Sequence, residues 1–147
     1  MFKHVLIPTD GSARSRKAAK AAVAFAKAIG AKVTAYYGLE TLLPYMVGDG
    51  VVIDVRLLEA LAKQARTQGD KYVAEVIKAA EAAGVGCEGY VSKPATPYQG
   101  IIDAAKQKKC DVIFMGSHGR GGVASLILGS VTQQVLAHSK IPVVVYR

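Results

Sequence analysis

Apolar and polar positions alternate between two spacings along this 147-residue chain. Residues 3–8 form a short apolar run closed by Pro8, which predicts a buried strand. Ala18, Ala22, Phe25 and Ile29 then recur at helical spacing, with Ser12 where an N-cap is expected and Gly30 where the helix should end. Lys32–Gly38 is β-branched and aromatic, a second strand. Residues 40–50 hold Pro44, Gly48, Asp49 and Gly50 and read as a loop. From residue 52 to 83, Leu57, Leu61, Ala65, Tyr72, Val76, Ala79 and Ala83 keep helical spacing. Gly69 interrupts that run at a cost of about 1 kcal/mol relative to Ala, which leaves a kink or a break into two helices open.

The second half repeats the alternation. Residues 86–92 predict a third strand. Thr96, Pro97 and Gln99 predict a helix start with a capping box and proline at the first helical position. That helix closes on Lys106, Lys108 and Lys109, cations suited to its negative end. Residues 111–115 are the clearest buried strand, and Ser130–Gln133 carries a second capping-box pattern that opens a helix to Ala137. Residues 141–146 form a last strand, at an edge because Pro142 cannot donate to a ladder.

Five strands alternating with four helical segments predict a three-layer α/β sandwich: an open five-stranded parallel sheet with helices on both faces. No repeat or linker divides residues 1–147, so one domain is expected. Two strand orders are common for five strands, 2-1-3-4-5 and 3-2-1-4-5. Ligands bind beyond the carboxyl ends of such strands, where the order reverses. The two unusual loops, 8–12 after the first strand and 116–129 after the fourth, lie side by side only in the order 3-2-1-4-5.

Composition narrows the class. Hydrophobic residues at 51% and charged residues at 20% exclude a disordered chain. The formal net charge of +8 favours an anionic partner. Five of the cations (Arg14, Arg16, Lys17, Lys20 and Lys27) fall between Ser12 and Ile29, a stretch without an acid, and a solvated helix face accounts for such a run. Cys87 and Cys110 are too few for a disulfide framework, and the apolar start is too short for a secretory signal, so a cytoplasmic protein is expected. Residues 121–139 are uncharged but rich in Ser, Gln and Gly, which argues against a membrane span. No helix-turn-helix, zinc-finger or RNA-binding pattern is present, so nucleic acid is not expected as the partner.

The loop after the fourth strand carries the candidate chemistry. It reads Gly116-Ser117-His118-Gly119-Arg120-Gly121-Gly122, and Gly129-Ser130-Val131-Thr132 follows at the start of a helix. Glycines let a ligand approach the backbone, and a helix start supplies N–H donors and a favourable dipole for phosphate. No Gly-Lys-Ser/Thr follows, so it is not a P-loop. Glycine content alone leaves a flexible turn open. Asp10 can equally serve as a cap of the first helix, Pro8 as a strand stop, Met115 as core and Ser130 as a helix cap.

Gly116-x2-Gly119-x9-Gly129-Ser130 resembles the nucleotide-binding signature of the universal stress protein family. Pro8-Thr9-Asp10 resembles that family's opening motif, and residues 141–145 its last strand. The likeness runs over the whole chain. It implies the order 3-2-1-4-5, ATP binding in a stress-response role and a homodimer paired through the last strand at Ile141, Val143 and Val145. It implies that Asp10 accepts from ribose hydroxyls and that Pro8, Thr9 and Met115 surround the base. Gly116, Gly119, Ser130 and Val131 would meet ribose and phosphates. Ser117, His118, Arg120, Gly121, Gly122, Gly129 and Thr132 fall within the same segments. Where such proteins often carry a His-Val pair, this chain has Tyr37-Gly38, so Gly38 offers the base only its backbone.

Catalysis is less marked. No nucleophile–base pair, metal cluster or carboxylate dyad is evident, and a single loop histidine, His118, is weak evidence for phosphoryl transfer, which needs metal and charge clamps. At most a slow ATP hydrolysis is expected, with Mg²⁺ brought mainly by the phosphates. His4 and His138 read as structural. A competing possibility is an interaction module that binds no nucleotide and works through its basic helix or sheet edge.

Overall fold

The computed structural model describes residues 1–40, 54–119 and 128–147. The loop expected at 40–50 therefore lies almost wholly outside the described residues, as do Arg120, Gly121 and Gly122. In chain order the described elements are β1 (His4–Pro8), α1 (Ala13–Ile29), β2 (Lys32–Gly38), α2 (Val55–Ala82) and β3 (Cys87–Ser92). They continue with α3 (Pro97–Gln107), β4 (Val112–Gly116), α4 (Ser130–His138) and β5 (Val143–Tyr146). All pairings are parallel and the order is β3-β2-β1-β4-β5. That is the order in which the loops after β1 and β4 become neighbours.

Burial explains the layering. Val5, Leu6 and Ile7 of the central β1 are at most 1% exposed, so both faces of the sheet are covered. α1 and α2 close one face over Val5, Ile7, Val33 and Phe114. α3 and α4 close the other over Leu6, Tyr36 and Ile113. The edge position of β5 agrees with Pro142, whose carbonyl accepts from Ile113 N–H at 2.9 Å just before the strand begins.

Local signals worked unevenly. Ser12 caps α1 by accepting from Ser15 N–H, and Gly30 ends it with φ 68°. α2, by contrast, runs unbroken through Gly69, without the break that the glycine left open. Its buried residues begin only there, with Gly69, Val73, Val76 and Ala80. Leu57, expected on the packed stripe, is 51% exposed. A Cβ on Gly69 would stand 2.5 Å from Tyr37 Cδ1, so this glycine is a seat for a ring and not a hinge.

Both capping boxes fail to form. Thr96 makes no side-chain cap, and Gln99 Nε2 donates instead to Asp103 Oδ1 at 2.9 Å. At α4 the N-cap is Gly129, and Ser130 is the first helical residue. Gln133 Nε2 donates to the Leu128 carbonyl at 2.8 Å. A Cβ on Gly129 would lie 3.2 Å from both His118 Cα and the Ser117 carbonyl oxygen. The cap position is pressed against backbone, and glycine fits there more easily than serine.

Candidate functional site

Three helices, α1, α3 and α4, start at the carboxyl edge of the sheet, and a cleft of about 370 Å³ opens among them. That volume lies within the range of small-molecule sites. Two strand ends build its floor. β1 delivers Pro8, Thr9 and Asp10, and β4 delivers Met115 and Gly116.

The β1 side is held rigid by short hydrogen bonds. Thr9 N–H donates to the Tyr36 carbonyl at 2.9 Å, the last rung between β1 and β2. Ser12 N–H donates to Asp10 Oδ1 at 2.9 Å, which orients the carboxylate. On the β4 side, Gly129 N–H donates to the Ser117 carbonyl at 2.8 Å and Thr132 Oγ1 donates to the Gly116 carbonyl at 3.0 Å. These two bonds fasten the start of α4 onto the end of β4. The first-turn amides of a helix have no intrahelical acceptor, and the first-turn residues of α4, Ser130, Val131 and Thr132, line the cleft.

The sides meet at Gly119. A Cβ there would stand 2.9 Å from Asp10 Oδ2, so only glycine lets the loop pass the carboxylate without displacing it. His118 borders the cleft, its Nδ1 3.0 Å from Ser117 Oγ, while Ser117 is buried behind it and does not line the cleft. Gly38 edges the cleft through its peptide. The Tyr36 carbonyl points to β1 and Leu39 N–H points to Ser92 on β3. Alternate residues of a strand address alternate neighbours, so the N–H and C=O of Gly38 turn to the side where β1 has ended. A Cβ on Gly38 would meet the Tyr36 hydroxyl at 3.0 Å and Pro94 Cγ at 3.2 Å.

Of the residues singled out from sequence, the cleft gathers Pro8, Thr9, Asp10, Gly38, Met115, Gly116, His118, Gly119, Gly129, Ser130, Val131 and Thr132. Ser15, Tyr36, Tyr37, Glu40, Pro97 and Ile101 were missed. Pro97 could have been found, because its helix start belongs to the same sheet edge. The others needed tertiary packing. Asp10 and Glu40 are acidic, and among the described lining residues there is no lysine or arginine.

Away from the cleft, four groups are tied into the fold. His4 is buried, with Nε2 2.8 Å from Thr34 Oγ1, which in turn donates to Glu88 Oε1 at 3.2 Å. Burial, aided by Lys32, holds its imidazole below the usual value. Burial pushes both free thiols, Cys87 and Cys110, up to about 11. Arg16 is engaged within the fold by Glu75 at 2.6 Å. Among the described residues no group of three potential metal ligands occurs, and no helix is long and apolar enough to cross a membrane.

The sequence model of the universal stress protein family matches residues 1–147. The chain belongs to the universal stress protein family. A universal stress protein of Thermus aquaticus is 34% identical over 147 residues, covering all of both chains. Among solved structures, the universal stress protein UspA of Lactobacillus plantarum superposes with a TM-score of 0.76 at 23% identity, over 99% of this chain and 98% of that one. A universal stress protein of Archaeoglobus fulgidus solved in complex with dAMP matches with a TM-score of 0.65 at 19% identity, over 100% and 98%. At those identities the solved structures establish the shared fold, and the five-stranded order of this universal stress protein is that of the family.

Proposed function

We propose that this universal stress protein is an ATP-binding regulatory protein of the stress response that works as a cytoplasmic homodimer and hydrolyses ATP at most slowly. The observation that carries the reading is the cleft itself. Asp10, Gly119 and the start of α4 converge there on one ligand-sized space. The dAMP complex of the Archaeoglobus fulgidus relative supports an adenine nucleotide as the occupant.

The residues fit that occupant in three parts. The carboxylate of Asp10 suits ribose hydroxyls, which donate to it. The amides of Ser130 and Val131, with the positive end of α4, suit phosphate oxygens. The Gly38 peptide offers one donor and one acceptor beside the apolar side chains of Pro8, Met115 and Ile101, which suits the edge and face of an adenine. Since the described lining carries two acids and no cation, a triphosphate would arrive with Mg²⁺, whose charge offsets theirs. Val143 and Val145 on the edge strand β5, with Ile141 just before it, would carry the dimer contact.

Calorimetric titration of ATP into wild type and Gly119→Asp tests this. Wild type should bind and the variant should not, because the added carboxylate takes the passage beside Asp10. Absence of ATP binding by wild type, in the presence of Mg²⁺, would overturn the proposal.

A further inference from the structure

One cleft residue has no part in the family resemblance, and its contacts give it a distinct job. Ser15 stands in the first turn of α1, buried, with its side chain turned back toward the loop that precedes the helix. It is not the cap: Ser12 Oγ fills that role by accepting from Ser15 N–H at 3.1 Å. Ser15 Oγ accepts from Asp10 N–H at 3.2 Å and donates to Thr9 Oγ1 at 3.0 Å. Thr9 Oγ1 also accepts from Gly11 N–H at 3.3 Å. One hydroxyl thus ties the helix to the amide of Asp10 and to the side chain just before it.

The tie completes a set of restraints on the loop, and it is the one that holds the Asp10 amide. Gly11 sits at φ 74°, and the space a Cβ would need there is filled by the Tyr72 ring of α2. That ring closes one side of Gly11, whose N–H is held by Thr9 Oγ1, the atom to which Ser15 Oγ donates. Asp10 Oδ1 is meanwhile held by Ser12 N–H. Peptide and carboxylate of Asp10 are therefore both referenced to the first turn of α1, which packs on β1 and β4.

We propose that Ser15 is a positioning residue for the nucleotide site, acting through Asp10 on recognition of the ribose hydroxyls. This rests on the nucleotide reading given above. Loss of the hydroxyl frees the Asp10 peptide to shift by a fraction of an ångström. The carboxylate then no longer meets both ribose hydroxyls at hydrogen-bond distance, while the base contacts from Gly38, Met115 and Ile101 and the phosphate contacts from the start of α4 persist.

The test compares ATP with 2′,3′-dideoxy-ATP by calorimetry on the full chain, in wild type, Ser15→Ala, Ser15→Thr, Asp10→Ala and the double variant Asp10→Ala/Ser15→Ala. Wild type should prefer ATP. Ser15→Ala should weaken ATP by about five- to tenfold, the worth of one hydrogen bond, and leave the dideoxy nucleotide within about twofold. Ser15→Thr should restore the preference, and Ser15→Ala should have no further effect once Asp10 is Ala. Melting temperatures of the unliganded variants separate this from general loosening, which would weaken both nucleotides alike. Equal losses for the two nucleotides, or a Ser15→Ala effect that persists without Asp10, would overturn the proposal while leaving the nucleotide reading in place. No ATP binding by wild type would remove both.

Discussion

Gly69→Ala tests the packing of the longest helix against the site. At an exposed position in the middle of a helix, alanine is favoured over glycine by about 1 kcal/mol. Gly69 is buried, and the new Cβ would stand 2.5 Å from Tyr37 Cδ1 and 2.9 Å from Cε1. Carbon atoms pack at about 3.5–4.0 Å, so the ring would have to withdraw by about 1 Å. It has a neighbour behind it: Tyr37 and Tyr72 form an edge-on pair with centroids 5.5 Å apart, and Tyr72 already occupies the space above Gly11. Overpacking of this kind costs about 1–3 kcal/mol. The two effects leave a net loss of about 1 kcal/mol, or roughly 2–4 °C in melting temperature for a domain of this size. Urea and thermal unfolding should show that loss in the native background. In a Tyr37→Ala background the clash is gone, and Gly69→Ala should stabilise by about 1 kcal/mol. The change of sign is the decisive quantity, a coupling of about 2 kcal/mol between the two positions. A stabilising Gly69→Ala in the native background would refute the reasoning, because it would mean that the ring does not rest on the glycine.

Two further outcomes follow from the buried groups. The imidazole of His4 is held below its ordinary value of 6.5, first by burial and then by Lys32. The unfolded chain therefore binds the extra proton first, and stability should fall as pH drops below about 6.5 until the folded value is passed. Glu88, Asp111 and Lys108 also face this imidazole, and the two carboxylates oppose the shift. His4→Gln keeps a donor toward Thr34 without titrating. Urea midpoints measured between pH 7 and 5 should therefore fall less steeply in the variant, and an unchanged slope would show that His4 is not responsible. The thiols of Cys87 and Cys110, both pushed up to about 11, should alkylate slowly with iodoacetamide at pH 7.5 and rapidly after unfolding in urea. Fast labelling of the folded protein would contradict their placement.

Much of the fold was legible because it rests on period and punctuation. Lys32–Gly38 was bounded correctly at both ends, since a β-branched run between Gly30 and a terminal glycine leaves little freedom. α1 was legible from Ser12 to Gly30 for the same reason. Failures came where a local rule competed with a tertiary contact. Ser130 has the chemistry of a cap, yet Gly129 takes the position because backbone atoms of Ser117 and His118 crowd it. Leu57 has the spacing of a core residue, yet the described part of α2 makes its buried contacts only from Gly69 onward. In the site, residues recognisable by motif gather around one cleft, with Ser117 behind it. Ser15 and Tyr36 were not recognisable, since nothing in their neighbours along the chain says what they touch, and Tyr37 was marked only by its place beside Gly38.

The sequence by itself determined the alternation of strands and helices, the glycine pattern of the loop after β4 and membership in the universal stress protein family. Those properties depend on residue type and spacing, which the chain carries wherever it folds. Only the tertiary structure decided what each glycine is for. Gly11 and Gly69 make room for Tyr72 and Tyr37, and Gly119 makes room for the Asp10 carboxylate. A missing side chain is silent in sequence, because its meaning is set by the atom that arrives from elsewhere in the chain to use the space.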